Sequence, residues 1–227
     1  MLREIFDNLN LPCDKFEHYF GLYERHFQRF VGRSPRILEI GAGLGGSAEM
    51  WRTYFGAGTQ IDGVDLAPQC ADTDYLTMHA GDQGDPAFWR QHFEDRGAYY
   101  DIVMDTGSRD NPHQITTLLE TFDMLRDGGV YWCEGTHTSY YFNDHVRDGG
   151  YKNPRSFTEF CKDIVDTLSA HHARHAVGVG PIDGPRVPAM LAAQFDRLQG
   201  VHFYDSVIVL DRGERFTFQQ VIHSKKV

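Results

Sequence analysis

Several features are missing from this chain, and each absence narrows the reading. No apolar run approaches the ~20 residues that a membrane-crossing helix needs; Val207–Leu210 is typical of the short ones present. The first ten residues carry Arg3, Glu4 and Asp7 and no apolar signal core, which reads as a cytoplasmic chain. The cysteines Cys13, Cys70, Cys133 and Cys161 form no Cys-x-x-Cys pair, so neither a disulfide framework nor a cysteine zinc site is expected. Internal repeats and Ser/Pro linkers are absent as well. Positive charge is in deficit: 22 Lys+Arg against 32 Asp+Glu give a net charge of −10. That argues against nucleic acid and anionic membranes as partners, because both recruit basic surfaces. A small-molecule substrate stays open.

What is present suits a globular fold. The 227 residues are 41% hydrophobic and 24% charged, enough to build a core. Aromatic residues reach 13%, and there are 12 histidines. Both surpluses can mean packing or a site.

The first thirty residues read as helical. Phe16, Phe20, Tyr23, Phe27 and Phe30 recur at three- and four-residue steps with polar residues between them. Such a stripe packs on a neighbour, covers a pocket, or forms a homodimer face. Residues 1–32 are therefore read as a helical cover on a single domain spanning 33–227. In that domain strands alternate with helices: strands at Arg36–Ile40, Ile61–Leu66, Tyr75–Ala80, Tyr100–Met104 and Val130–Glu134, and helices at Ser47–Phe55, Pro86–Arg96 and Pro112–Leu125. This order predicts an α/β fold with a mostly parallel sheet. Ser156–Ser169 reads as a helix. Phe203–Leu210 and Phe216–Ile222 read as strands joined at Asp211–Glu214, a C-terminal antiparallel hairpin.

The first strand runs into Gly41-Ala-Gly43-Leu-Gly45-Gly46-Ser47 and then a helix, a turn suited to cradling a nucleoside cofactor. Asp65 ends the second strand, where a carboxylate can accept ribose hydroxyls. Glu39 precedes the glycines. A carboxylate there would repel a pyrophosphate but favour an ammonium or sulfonium group. Asp82-Gln83 follows the third strand, where an adenine amino group could be held. This set favours S-adenosylmethionine over NAD.

Here a resemblance enters. ILEIGAGLGGSAEMW, YFGAGTQIDGVDLAP and GDQGDPAFW resemble the class I S-adenosylmethionine-dependent methyltransferases. More narrowly they resemble the small bacterial branch that includes macrolide-sugar O-methyltransferases and cephalosporin-hydroxylase-like proteins. HYFGLYERHFQRF, GGVYWCEGTHTSYY and FYDSVIVL are similar too. The resemblance implies the Rossmann-like, seven-stranded methyltransferase sheet with its terminal antiparallel hairpin.

It also implies a metal pattern: two acidic residues, Gly, a small residue and His after one strand, and Glu-Asp after the next. This sequence departs at Thr106, Arg109 and Gly135. Asp105 and Glu134 remain as candidate magnesium ligands, a thin set that leaves metal dependence open. Arg109 stays protonated and cannot be a base, but it can bind an acceptor anion. His113 and His137 are the candidate bases, and Asp105 is grouped with them and with the cofactor residues. Tyr140 and Tyr141 are expected to line the acceptor pocket. His171, His172 and His175 read as a solvated helix end in preference to a metal site. The expected function is S-adenosylmethionine-dependent O-methylation of a small-molecule hydroxyl on a sugar or natural product. The rivals are a cofactor-binding protein of the same fold that transfers no methyl and, less favoured, a dehydrogenase.

Overall fold

The computed structural model describes residues 1–142, 146–170, 188–214 and 222. Among them, seven strands form one sheet: β1 Arg36–Ile40, β2 Gln60–Asp65, β3 Leu76–Ala80, β4 Tyr100–Asp105, β5 Leu125–Glu134, β6 Leu198–Tyr204 and β7 Val207–Arg212. The strand order is β3-β2-β1-β4-β5-β7-β6. β1 to β5 pair in parallel, and β7 pairs antiparallel with both β5 and β6. The expected α/β architecture and terminal antiparallel hairpin are present.

Helices cover both faces. On one lie α1 Leu2–Asp7, α2 Tyr19–Phe27 and α3 Gly46–Phe55. On the other lie α4 Pro86–Phe93, α5 Asn111–Thr121, α6 Phe157–Val165 and α8 Ala189–Gln194, with the short α7 Thr167–Ala170 beyond α6. Side chains alternate between the faces along each strand. Ile37, Ile102, Val130 and Trp132 join the α1–α3 layer, while Leu38, Val103, Tyr131 and Cys133 join the other. Local signals fit these boundaries. Asp85 accepts a hydrogen bond from the Ala87 N–H at 2.8 Å and Pro86 takes the first helical position, so α4 starts there.

The N-terminal cover differs from the continuous helix expected. Between α1 and α2, residues 8–18 are not helical. Pro12 lies in this break, and proline lacks the N–H that a helix interior needs. The aromatic stripe divides accordingly. Phe20, Tyr23, Phe27 and Phe30 are buried in the chain's own core, with the Tyr23 ring 4.7 Å from Trp132 and 5.1 Å from Trp51. The face offered for a homodimer is thus consumed within the chain. Only Phe16 stands apart, half-exposed in the break.

The hairpin also sits earlier than expected. The stretch Phe203–Leu210 is not one strand, because Asp205-Ser206 turns the chain inside it, with Ser206 at φ 62°. Asp and Ser are turn formers, and here they override the apolar run on either side. Asp211 and Arg212, expected in the turn, belong to β7. Of the expected strand Phe216–Ile222, residues 216–221 lie outside the described residues, and Ile222 is exposed and irregular. His171, His172 and His175 also lie outside them.

Polar contacts join the cover to the hairpin. His26 bonds the Tyr204 hydroxyl at 2.9 Å, His202 meets Asp211 at 2.7 Å, and Arg29 donates to the same carboxylate at 3.1 Å. Burial lowers the His26 pKa to about 4. None of the described helices is long and apolar enough to cross a membrane.

Candidate active site

The parallel strands β1, β4 and β5 end on one edge, where ligands bind in open α/β sheets. A cavity of about 440 Å³ lies there. The glycine loop from Gly41 to Ser47 makes one wall. Thr106, Arg109 and Glu134, from the ends of β4 and β5, make another. The third wall is the strap of residues 8–18, which contributes Pro12 to Phe16.

The strap is held on α3. Asn10 and Leu11 donate backbone N–H bonds to Glu49 at 3.1 and 2.9 Å. The Pro12 carbonyl lies so close to Gly46 that any side chain there would run into it. Behind the glycine loop, Asp65 accepts the Gly43 N–H at 3.0 Å and the Ala67 N–H at 2.9 Å, which places its carboxylate beside the loop.

Glu39 and Glu134 point to the same face as the strap and α2. Glu39 is fully buried, and neither carboxylate oxygen has a hydrogen-bond partner. Burial pushes its pKa up, and the Lys15 charge opposes that. Ser47 and the Trp51 indole are close enough to bias its titration but make no hydrogen bond with it. Glu134 is the reverse case. The Tyr23 hydroxyl and the Trp132 indole, at 3.1 Å, both donate to it. The Lys15 ammonium lies 3.3 and 3.4 Å from its two oxygens. The Lys15 side chain is only 5% exposed. Desolvation alone would lower its pKa, but Glu134 and Glu39 outweigh this and raise it, so the ammonium keeps its proton.

Other candidates are placed away from the cavity lining. Asp105 is turned to the opposite face, where its carboxylate accepts from Gln83 at 3.0 Å and from the Gly107 N–H at 3.3 Å. Burial raises its pKa to about 7, against these hydrogen bonds. Gln83 is buried beneath the β4 loop and spends its amide on Asp105, Thr117 and the Ser108 N–H. Asp82 is exposed and accepts from the Gly84 N–H at 2.8 Å. The structure therefore does not bring Asp105 and Glu134 together as a metal pair. In His113 both ring nitrogens are engaged, by Ser108 at 3.1 Å and by Arg147 at 2.8 Å.

His137 lies at the cavity's edge. Its ring packs edge-on against Phe16 at 6.2 Å and Tyr141 at 5.3 Å. Its Nδ1 meets the Ser206 hydroxyl, which also bonds Tyr19 at 2.8 Å. Burial and then the nearby Arg109 charge lower its pKa, so the imidazole is neutral at neutral pH. The Arg109 guanidinium lies 5.8 Å from the Phe16 ring. Tyr140 and Tyr141 are about half-exposed. Lys15 and Ser206 were missed in the sequence. Pro12 inside the helical stretch and Asp205-Ser206 inside the strand were the available signals.

No family model matches the chain. Curated relatives do. The chain is 33% identical over 205 residues to 8-demethyl-8-(2-methoxy-alpha-L-rhamnosyl)-tetracenomycin-C 3'-O-methyltransferase of Streptomyces olivaceus, covering 86% of this chain and 50% of that one. It is 30% identical over 227 residues to mycinamicin VI 2''-O-methyltransferase of Micromonospora griseorubida, covering 93% and 52%. The chain resembles the macrolide-sugar O-methyltransferases. Among solved structures, the chain is similar to MycE methyltransferase from the mycinamycin biosynthetic pathway, in complex with Mg and SAH. It superposes with a TM-score of 0.75 at 26% identity, over 93% of this chain and 54% of that one. This chain thus has the class I methyltransferase fold and spans about half the length of the curated relatives it matches.

Proposed function

We propose that this chain is an S-adenosylmethionine-dependent O-methyltransferase acting on a small-molecule hydroxyl, such as a sugar hydroxyl of a natural product. One observation carries the reading: a single cavity joins the glycine loop after β1 to the polar groups after β4 and β5. A cofactor end and an acceptor end are therefore continuous. The relatives supply the reaction class, since those compared above are sugar O-methyltransferases.

Gly41, Gly43, Ser47 and Asp65 form the cofactor end in this reading. Glu39 lies buried under the loop with no hydrogen-bond donor on either oxygen, which leaves it open to a cationic ligand group. When bound, S-adenosylmethionine supplies the methyl carbon, its carbon–sulfur bond breaking with the electron pair left on sulfur as the acceptor oxygen bonds to carbon. Arg109 orients the acceptor oxygen through its N–H donors. His137 takes the hydroxyl proton at Nε2. Its Nδ1 is engaged by Ser206, and the described residues put no hydrogen-bond partner on Nε2. Asp105 and Gln83 act beneath, bracing the loop that carries Arg109.

Isothermal titration with S-adenosylhomocysteine tests the cofactor claim. One equivalent should bind with micromolar affinity, and no heat at protein concentrations well above that range would sink the claim. A second reading is a cofactor-binding protein that transfers no methyl. The placement of Arg109 beside Gly135, with Asp105 and Glu134 apart, favours it. Methylation of a sugar-bearing acceptor with stoichiometric S-adenosylhomocysteine would eliminate it.

A further inference from the structure

The acceptor end holds two cations, Lys15 and Arg109, beside one partly buried carboxylate, Glu134. A divalent ion such as magnesium prefers near-octahedral oxygen ligands and usually takes one or two carboxylates. The donor set here does not fit it. Glu134 already receives Tyr23, Trp132 and the Lys15 ammonium. Asp105 faces the other side of the sheet and is bonded to Gln83 and Gly107. The Thr106 hydroxyl donates to the Ile40 carbonyl at 2.8 Å. The residue after Glu134 can supply no side chain either. Gly135 has φ +69°, and a Cβ there would meet the Arg109 stem at 2.8 to 3.1 Å.

The place beside Glu134 is instead filled from the strap. Lys15 reaches in from the strap and sets its ammonium 3.3 and 3.4 Å from the two Glu134 oxygens. An ammonium fixed there does electrostatically what a bound cation does: it neutralises the strand-end carboxylate and favours negative charge on a nearby oxygen.

We propose that the Lys15 ammonium takes the position of a divalent cation at Glu134, so that the acceptor end is built around a cation carried by the protein and needs no metal. Lys15 is a positioning residue in this role, acting on the acceptor oxygen through its field. The inference rests on the methyltransferase reading, but its test does not require cofactor or acceptor.

Mn²⁺ titrated into the apo protein and followed by electron paramagnetic resonance reads the site directly. The wild type should bind no stoichiometric Mn²⁺ below about 1 mM. Lys15→Met leaves Glu134 without its cation, and Mn²⁺ affinity should rise roughly tenfold or more. The gain should vanish in Lys15→Met/Glu134→Gln, which removes both charges. Stoichiometric Mn²⁺ binding by the wild type that Glu134→Gln abolishes would overturn the proposal. So would a folded Lys15→Met, shown by an unchanged circular dichroism spectrum, that gains nothing. If Lys15→Met does not fold, the wild type and Glu134→Gln still decide the matter. Failure to bind S-adenosylhomocysteine would count against the methyltransferase reading and leave these outcomes readable.

Discussion

Glu39, fully buried on β1, and Glu134, partly buried on β5, are carboxylates on the same face of one sheet, with β4 between them. Their surroundings are opposite. Glu134 is surrounded by donors, including an ammonium, whereas Glu39 has none. The difference follows from what packs above each strand. Above β5 lie Tyr23 of α2 and Lys15 of the strap. Above β1 lies the start of α3, whose Ser47 and Trp51 stop short of a bond. One carboxylate is compensated within the protein. The other feels the Lys15 charge but has no hydrogen-bond donor, beside the glycine-loop end of the cavity.

Breaking the compensated site should have the largest effect. Glu134→Gln strands the Lys15 ammonium in a buried position, and removing one partner of a buried pair costs about 3–5 kcal/mol. Urea melts should show that loss, and Lys15→Met/Glu134→Gln should recover most of it. A single variant within about 1 kcal/mol of wild type would contradict the buried pair.

A third carboxylate, Asp105 on the opposite face, sharpens the contrast through pH. Its folded pKa of about 7 lies above the ordinary carboxylate value because of burial. Its favourable contribution is thus present below about pH 4 and is lost as pH rises through 7. The loss is on the order of 2–4 kcal/mol. Between pH 5 and pH 8.5, wild type should lose stability relative to Asp105→Asn. A gap that does not change with pH would contradict a buried, proton-holding Asp105.

The smallest effect should come from Glu39. Glu39→Met removes an unsatisfied buried acceptor and should raise stability by about 1 kcal/mol, the scale of such penalties. The same variant should weaken S-adenosylhomocysteine binding. Tighter binding would reverse the sign assigned to this charge.

The placement of the glycine loop at the cavity was legible in the sequence, whereas Asp82, Gln83 and Asp105 were expected there and lie away from its lining. The glycine loop, Asp65 and Glu39 sit at strand ends, and strands announce themselves by local apolar runs. The boundary of α3 missed by one residue, since Gly46 rather than Ser47 begins it. The acceptor end depends on contacts between distant segments. Lys15 reaches Glu134 across 119 positions, and Ser206 reaches His137 across 69. Periodicity carries no information about such pairs. It was also misleading at the strap and the hairpin, where a helical stripe and an apolar run hid Pro12 and Asp205-Ser206. The histidine surplus resolves in part into structure, since His26, His79 and His202 all have hydrogen-bonded partners among the described residues.

The contact between Arg109 and Gly135 couples the two positions. A Cβ at 135 would crowd the arginine stem at 2.8 to 3.1 Å, so one of the two must move to make room for the other. A residue larger than glycine at 135 must either displace the arginine stem or leave its left-handed backbone. A library that varies 135 alone should therefore favour glycine, and one that also replaces Arg109 should relax that preference.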